Sequence, residues 1–297
     1  MTAAADTVAD EDVPAWWRRL GLPGLIDIHV HFMPAPVLAA VWRYFDNASE
    51  HYGVDWPVHY RGDDDERVAR LRAFGVRAFT ALSYPHKPGM AASLNSWGRD
   101  FASRVPEAVQ SATFYPEPGA AQYVRTALDE GARVFKVHVQ VGDYDPRDGL
   151  LDEVWGILAE AGTPVVVHCG SGPLPGRFTG PGPFGTVLAA HPTLTAVIAH
   201  AGAPEFVEHL ALVEKYPNVH LDTTMVGTRF MDRLAPVPDD VRARYGELQD
   251  RIVLGTDFPN IPYHYGEQLA ALDRFGLGDD WLRAVCWTNG ARLLGIG

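Results

Sequence analysis

The chain has little cysteine: two residues, Cys169 and Cys286, in 297. That is too few for a disulfide framework or for a zinc site made of thiolates. Positive charge is also short, with 25 lysines and arginines against 37 aspartates and glutamates and a formal charge of −12. Nucleic acid and anionic membranes call for a basic face, so neither is an expected partner. No apolar run approaches the ~18 to 20 residues that cross a bilayer. The opening stretch MTAAADTVADEDVP is small and acidic, without the apolar core of a signal peptide. A cytoplasmic protein with a small-molecule substrate is the expectation. Phosphate-binding glycine patterns are missing too, since GPGPFG at 180–185 lacks a Gly-Lys-Ser/Thr ending. Residues 1–13 are expected to form a disordered tail.

What the chain does have is a repeated alternation of short apolar runs and helix-like stretches. The runs are GLIDIHVHF (24–32), RAFTALSY (77–84), SATFYPE (111–117), RVFKVHVQV (133–141), TPVVVHCG (163–170), TAVIAHAG (195–202), NVHLDTT (218–224) and RIVLGTDFP (251–259). Helical stretches between them include DDDERVARLRAFG (63–75), GAAQYVRTALDEG (119–131) and APEFVEHLALVEKYPN (203–218). The first opens on acids and stops at glycine, as helix ends do. Eight strands each followed by a helix predict an α/β fold, a (β/α)8 TIM barrel. It is expected to be a single domain over 14–297 with an insertion after the first strand. The alternative is an open doubly wound sheet, which the length and the eight near-continuous apolar strands disfavour.

Histidine is concentrated in this pattern. In LIDIHVHFMP (25–34), His29 and His31 are two positions apart, so on a strand they share a face. His138, His168 and His200 end the predicted fourth, fifth and sixth strands, and Asp257 ends the eighth. Five of twelve histidines therefore fall at strand ends. In a (β/α)8 barrel these ends form the face that carries active sites. Closure would set the eighth strand beside the first, and Asp257 beside the histidine pair. Neutral imidazole and carboxylate oxygen suit one divalent ion, zinc first, with manganese or iron as alternatives. His29, His31, His168 and Asp257 are the expected metal ligands. His200, with Asp257, is the expected catalytic pair for proton transfer.

The motifs DIHVHF, VVVHCG, VIAHAG and LGTDFP, in this order, resemble the amidohydrolase superfamily, and GARVFKVH and NGARLLG resemble its family-2 branch. That branch holds metal-dependent hydrolases, lactonases and the aminocarboxymuconate-semialdehyde decarboxylase group. The resemblance implies a metal on His29, His31, His168 and Asp257, with His200 catalytic. It also implies a single ion, so Lys136 is expected to be a buried pair or substrate contact rather than a bridging ligand. Two reactions follow from it. One is attack of metal-activated water on an amide, ester or lactone carbonyl; the other is non-oxidative decarboxylation of an unsaturated or aromatic acid. Hydrolysis is preferred because no arginine cluster stands at the strand ends. A non-catalytic binding barrel is the remote alternative. Related decarboxylases complete their sites across an interface, which brings a homodimer into consideration.

Other positions have weaker claims. His138, Lys136, Arg177, Tyr84 and His264 are candidate substrate contacts, Arg177 through pairing with a carboxylate. The aromatic insertion at 34–62, with Trp42, Phe45, Trp56 and Tyr60, is expected either to cover the substrate or to pack as a helix on the barrel. Cys169 and the pair His220 and Asp222 are expected to be packing and hydrogen-bonding residues.

Overall fold

A computed structural model describes residues 7–296. Its strands are β1 (Leu25–Asp27), β2 (Val76–Thr80), β3 (Ala108–Val109), β4 (Ser111–Thr113), β5 (Val134–His138), β6 (Val165–His168), β7 (Ala196–Ile198), β8 (Val219–Asp222) and β9 (Ile252–Val253). Each of the eight predicted runs overlaps one of them, and the two-residue β3 is additional. Several are shorter than expected. The first run yields only Leu25–Asp27, because the Asp27 carboxylate accepts the His29 N–H and turns the chain out of the strand. The last yields only Ile252–Val253, and Asp257 lies beyond it in the left-handed region, at φ 71°.

The contacts gather into two units, one formed by the chain up to Phe79 and from Thr223 onward, the other by Thr80–Asp222. In the first, β1 runs parallel to β2, with Leu25 opposite Val76 and Asp27 opposite Phe79. The helix before β2, Asp64–Phe74, has a complete capping box: Asp63 accepts the Glu66 N–H, and Glu66 accepts the Asp63 N–H. Gly75 closes it at φ 83°.

The tail expected over residues 1–13 is corrected where it can be described. Asp10–Asp12 form a 3-10 turn and Val13–Arg19 an α-helix, with Val8, Val13, Trp16 and Trp17 buried. The Tyr60 hydroxyl donates to Asp10 at 2.6 Å and the Trp17 indole donates to the Phe74 carbonyl at 2.9 Å. Apolar anchors at this spacing give an acidic segment enough to bury. Residues 1–6 lie outside the described residues.

The insertion folds as two helices, Ala35–Asp46 and Ala48–Tyr52, followed by irregular chain. It is packed through its aromatics, as the second of its two expected forms had it. The indoles of Trp42 and Trp56 donate to the side chain and the carbonyl of Asn260, at 3.1 and 2.7 Å, and Phe45 stacks on Trp56 at 5.2 Å. The buried Arg67 guanidinium lies over the ring of Phe32 at 4.7 Å and near that of Trp42 at 5.8 Å.

In the second unit β4 to β8 form a parallel sheet in chain order. The strands are largely buried on both faces, which is why β6 and β7 read as runs of valine, isoleucine and alanine. Helices Ala120–Asp129, Gly149–Ala161, Pro181–Ala190 and Phe206–Lys215 lie in the four connections between them. Trp155 fills the space against Phe114 at 5.0 Å between ring centres. No helix among the described residues is long and apolar enough to cross a membrane.

Two C-capping glycines make a paired test. Gly53 (φ 71°) has open space where a Cβ would stand, whereas a Cβ on Gly75 (φ 83°) would lie 2.6 Å from the Trp17 indole nitrogen. Gly53→Ala should cost about 1 kcal/mol, the left-handed term alone. Gly75→Ala should cost about 2 to 4 kcal/mol, since overpacking is added to it. Urea unfolding of both variants checks this, and equal losses would mean that Trp17 yields freely.

Candidate metal centre

In the first unit, residues 28–31 leave β1 and pair with the chain after β9. Ile28 N–H donates to the Leu254 carbonyl at 2.9 Å, Asp257 N–H to His29 at 2.8 Å, and His31 N–H to Phe258 at 2.7 Å. Val30 and Phe258 form a parallel bridge. This pairing carries Asp257 to the histidines, as closure of the eighth run on the first predicts.

The result is a compact donor cluster. Asp257 Oδ1 is 2.8 Å from His31 Nε2 and 3.4 Å from His29 Nε2, and one ligand atom from each residue lies within 4.8 Å of the others. The two imidazoles are almost wholly buried, while the Asp257 side chain keeps 13% of its exposure. Ligands about 2.1 Å from a tetrahedral ion stand roughly 3.4 Å apart. The spacing and the N,N,O donor set fit a small divalent ion. A hydrogen-bonded pair would also explain 2.8 Å, but it has no use for a second imidazole aimed at the same oxygen.

One contributor to this cluster was not picked out from the sequence. Asp27 is fully buried and accepts hydrogen bonds from the His29 N–H (3.2 Å), the Thr256 hydroxyl (2.6 Å) and the Tyr265 hydroxyl (3.0 Å). Its place two residues before His29, inside an apolar run, was the available signal. Tyr263 is another neighbour. Burial, with the charge of Asp257 adding to it, holds its phenol well above the ordinary value, so it stays a neutral hydroxyl.

The second unit holds a row of rings. Register puts His138 opposite His168 across β5 and β6, and their imidazoles stack at 3.8 Å and 13°. Tyr84 lies 5.0 Å from His138 on one side, and His200 lies 4.7 Å from His168 on the other. His168 Nε2 sits 3.2 Å from the Gly172 carbonyl. That contact requires the Nε2–H tautomer and leaves Nδ1 as the acceptor or ligand nitrogen. His200 follows β7 in the left-handed region (φ 55°), where its N–H donates to the buried carboxylate of Asp222 at 2.8 Å. Asp222 thus hydrogen-bonds within the fold, the role expected for it.

Comparison with known proteins agrees with these motifs. The family model described as Amidohydrolase matches residues 26–296. The chain belongs to the amidohydrolase family. None of the curated proteins matches it. Among solved structures, an uncharacterized TIM-barrel protein of Bordetella bronchiseptica is 19% identical, with TM-score 0.75 over 92% of this chain and 98% of that one. The 5-carboxyvanillate decarboxylase of Sphingomonas paucimobilis is 14% identical, with TM-score 0.64 over 93% of this chain and 100% of its own. A protein described as a probable 2-pyrone-4,6-dicarboxylic acid hydrolase of Acinetobacter baumannii is 12% identical, with TM-score 0.62 over 92% and 100%. At these identities the likeness shows the fold, which is the (β/α)8 barrel of the amidohydrolases.

The remaining candidates fall outside the two clusters or at their edge. Lys136 is buried at 1% exposure on β5, between Thr113 and Val166 in the ladder. Arg177 is exposed, with its guanidinium over the ring of Phe178. His264 is exposed and stacks on His59, 3.5 Å from Asp10, so it belongs to the packing of the N-terminal segment.

Cys169 stands next to His168, and its Sγ lies 3.7 Å from His209 Nε2. Burial pushes its thiol up to about 12 and pushes the His209 imidazole down. No thiolate–imidazolium pair forms, and the cysteine is inert. A thiol raised in the fold from its ordinary 9.0 costs nothing at neutral pH. As pH rises past 9, the unfolded chain loses the proton and the folded chain keeps it, so stability falls across about 9 to 12. The amidohydrolase should therefore lose urea resistance through this range, and Cys169→Ala should reduce the slope. An unchanged slope in the variant would refute the assignment.

Proposed function

We propose that this amidohydrolase is a metal-dependent hydrolase of small ring-shaped or carboxylated substrates with an amide, ester or lactone carbonyl. The observation that supports it most is the buried His29–His31–Asp257 cluster with its partly exposed carboxylate. His29, His31 and Asp257 would hold the ion; His168, by the order of the motifs, is the further nitrogen donor. A divalent ion so bound lowers the pKa of water and polarises a substrate oxygen. Asp257 takes up a proton from the attacking water and delivers it to the leaving group. His200, with its backbone fixed by Asp222, donates to the oxygen on which negative charge develops.

Two names among the structural neighbours, 5-carboxyvanillate and 2-pyrone-4,6-dicarboxylic acid, support a carboxylated ring as the substrate type. Likeness does not separate hydrolysis from decarboxylation, because neighbours of both kinds match about equally well. The preference for hydrolysis rests on Asp257 as a partly exposed proton acceptor. It rests also on Arg177, the arginine put forward as a carboxylate anchor, which lies exposed over Phe178.

The test has two readouts. Elemental analysis of protein purified without chelator should give about one divalent ion per chain, lost in the His29→Ala/His31→Ala double variant. A panel of lactones, esters and aromatic acids should then show ring opening or ester cleavage that is abolished by Asp257→Asn. Release of carbon dioxide from an aromatic acid would replace hydrolysis with decarboxylation. Failure of the wild-type chain to take up any ion would end the reading.

A further inference from the structure

The donor cluster depends on a carboxylate outside it. The two oxygens of Asp27 face two different segments: Oδ1 accepts the His29 N–H, while Oδ2 accepts the hydroxyls of Thr256 and Tyr265. Thr256 passes the constraint on, since its Oγ1 accepts the N–H of Phe258 at 3.2 Å. One oxygen therefore fixes the residue that bears the first imidazole. The other fixes both neighbours of Asp257. A carboxylate suits this task because it offers about four acceptor sites and no donor, whereas an amide presents a single acceptor oxygen.

We propose that Asp27 is the positioning residue of the centre. It sets the separation between the histidine arm and the Asp257 arm, and through that separation the affinity of the cluster for a divalent cation. The proposal rests on the reading of His29, His31 and Asp257 as a cation site. The competing view is that Asp27 only stabilises the fold, as any satisfied buried carboxylate does.

Thr256 and Tyr265 separate the two views because both donate to the same oxygen. Thr256 adjoins Asp257; Tyr265 does not. If Asp27 merely stabilises, Thr256→Val and Tyr265→Phe should change cation binding alike. If it positions, Thr256→Val weakens binding about 10-fold or more, the range known for groups that orient ligands, while Tyr265→Phe changes it less than about 2-fold.

The experiment uses the full chain stripped with a chelator and titrated with Zn2+ against a chromophoric competitor. Urea unfolding of the same stripped samples reports fold stability separately. Asp27→Asn is expected to weaken Zn2+ binding about 10- to 100-fold with a folded far-UV spectrum. If that variant does not fold, the Thr256→Val and Tyr265→Phe pair decides alone. Wild-type affinity in Thr256→Val, or an equal loss in Tyr265→Phe, overturns the positioning role while leaving the cation site standing. Absence of Zn2+ binding in the wild type overturns the cation site itself, and this inference with it.

Discussion

The pairing of residues 28–31 with residues 254–258 brings together segments that are 229 positions apart at Asp27 and Thr256. Closing a loop of that length costs at least about 5 kcal/mol of chain entropy. Three backbone hydrogen bonds, each about 1 kcal/mol net, do not cover it. The burial of Ile28, Val30, Leu254 and Phe258, all 0 or 1% exposed, does, at about 1.5 to 3 kcal/mol for each side chain. The donor cluster is therefore a product of apolar closure. His29 and His31 alternate with Ile28 and Val30, and Asp257 directly precedes Phe258, so the apolar side chains that drive pairing and the donor side chains share the same short stretches of backbone.

That alternation is also why the cluster could be read from the sequence. A strand-like apolar run with imidazoles at every second place is hard to reconcile with a purely structural role, and Asp257 in LGTDFP follows from its place at the end of the eighth run and from closure of that run on the first. The inference reached the right neighbours through a slightly wrong picture. His29 and His31 lie beyond β1, in chain held in place by its pairing with residues 254–258, and Asp257 lies four residues beyond β9. The order of strands and helices was legible for the same reason: buried parallel strands need continuous apolar side chains, and helix ends need acids and glycines, as at Asp63 and Gly75. Strand lengths were not legible, because they are set by side-chain bonds such as Asp27 to His29 that no local pattern encodes.

What escaped the sequence reading is mostly which partner holds which histidine: Asp222 was expected to hydrogen-bond within the fold, but not to His200, and Asp27 was not singled out at all. Asp27 and Asp222 each accept a backbone N–H from a histidine of interest, at His29 and His200, and the Gly172 carbonyl meets His168. Such partners lie 2 to 22 residues away and have no composition of their own. They matter because an imidazole useful to a metal or a proton must have its ring and tautomer fixed in advance. The insertion shows a choice that the sequence left open and the packing decides. Its aromatics were conspicuous, yet two indole N–H groups and a stacked pair tie them down around Asn260, three residues past Asp257. Conspicuous side chains there brace the Asp257 loop from outside.

Backbone strain touches the same places, though Asp143, Ala201 and Met225 are left-handed as well. His200 and Asp257 both take left-handed conformations, at φ 55° and 71°, which cost a side-chain-bearing residue about 1 to 2 kcal/mol each. Neither is left to bear that cost alone. The His200 N–H is held by a buried carboxylate, and Asp257 is bonded at both its N–H, to His29, and its carbonyl, from Asn260. Glycine at either position would relieve the strain, but it would remove the imidazole or the carboxylate. Strain alone does not establish a role. At His200 and Asp257 the left-handed backbone is over-determined by bonds from another segment, which argues that the fold gives up local stability to aim those two groups.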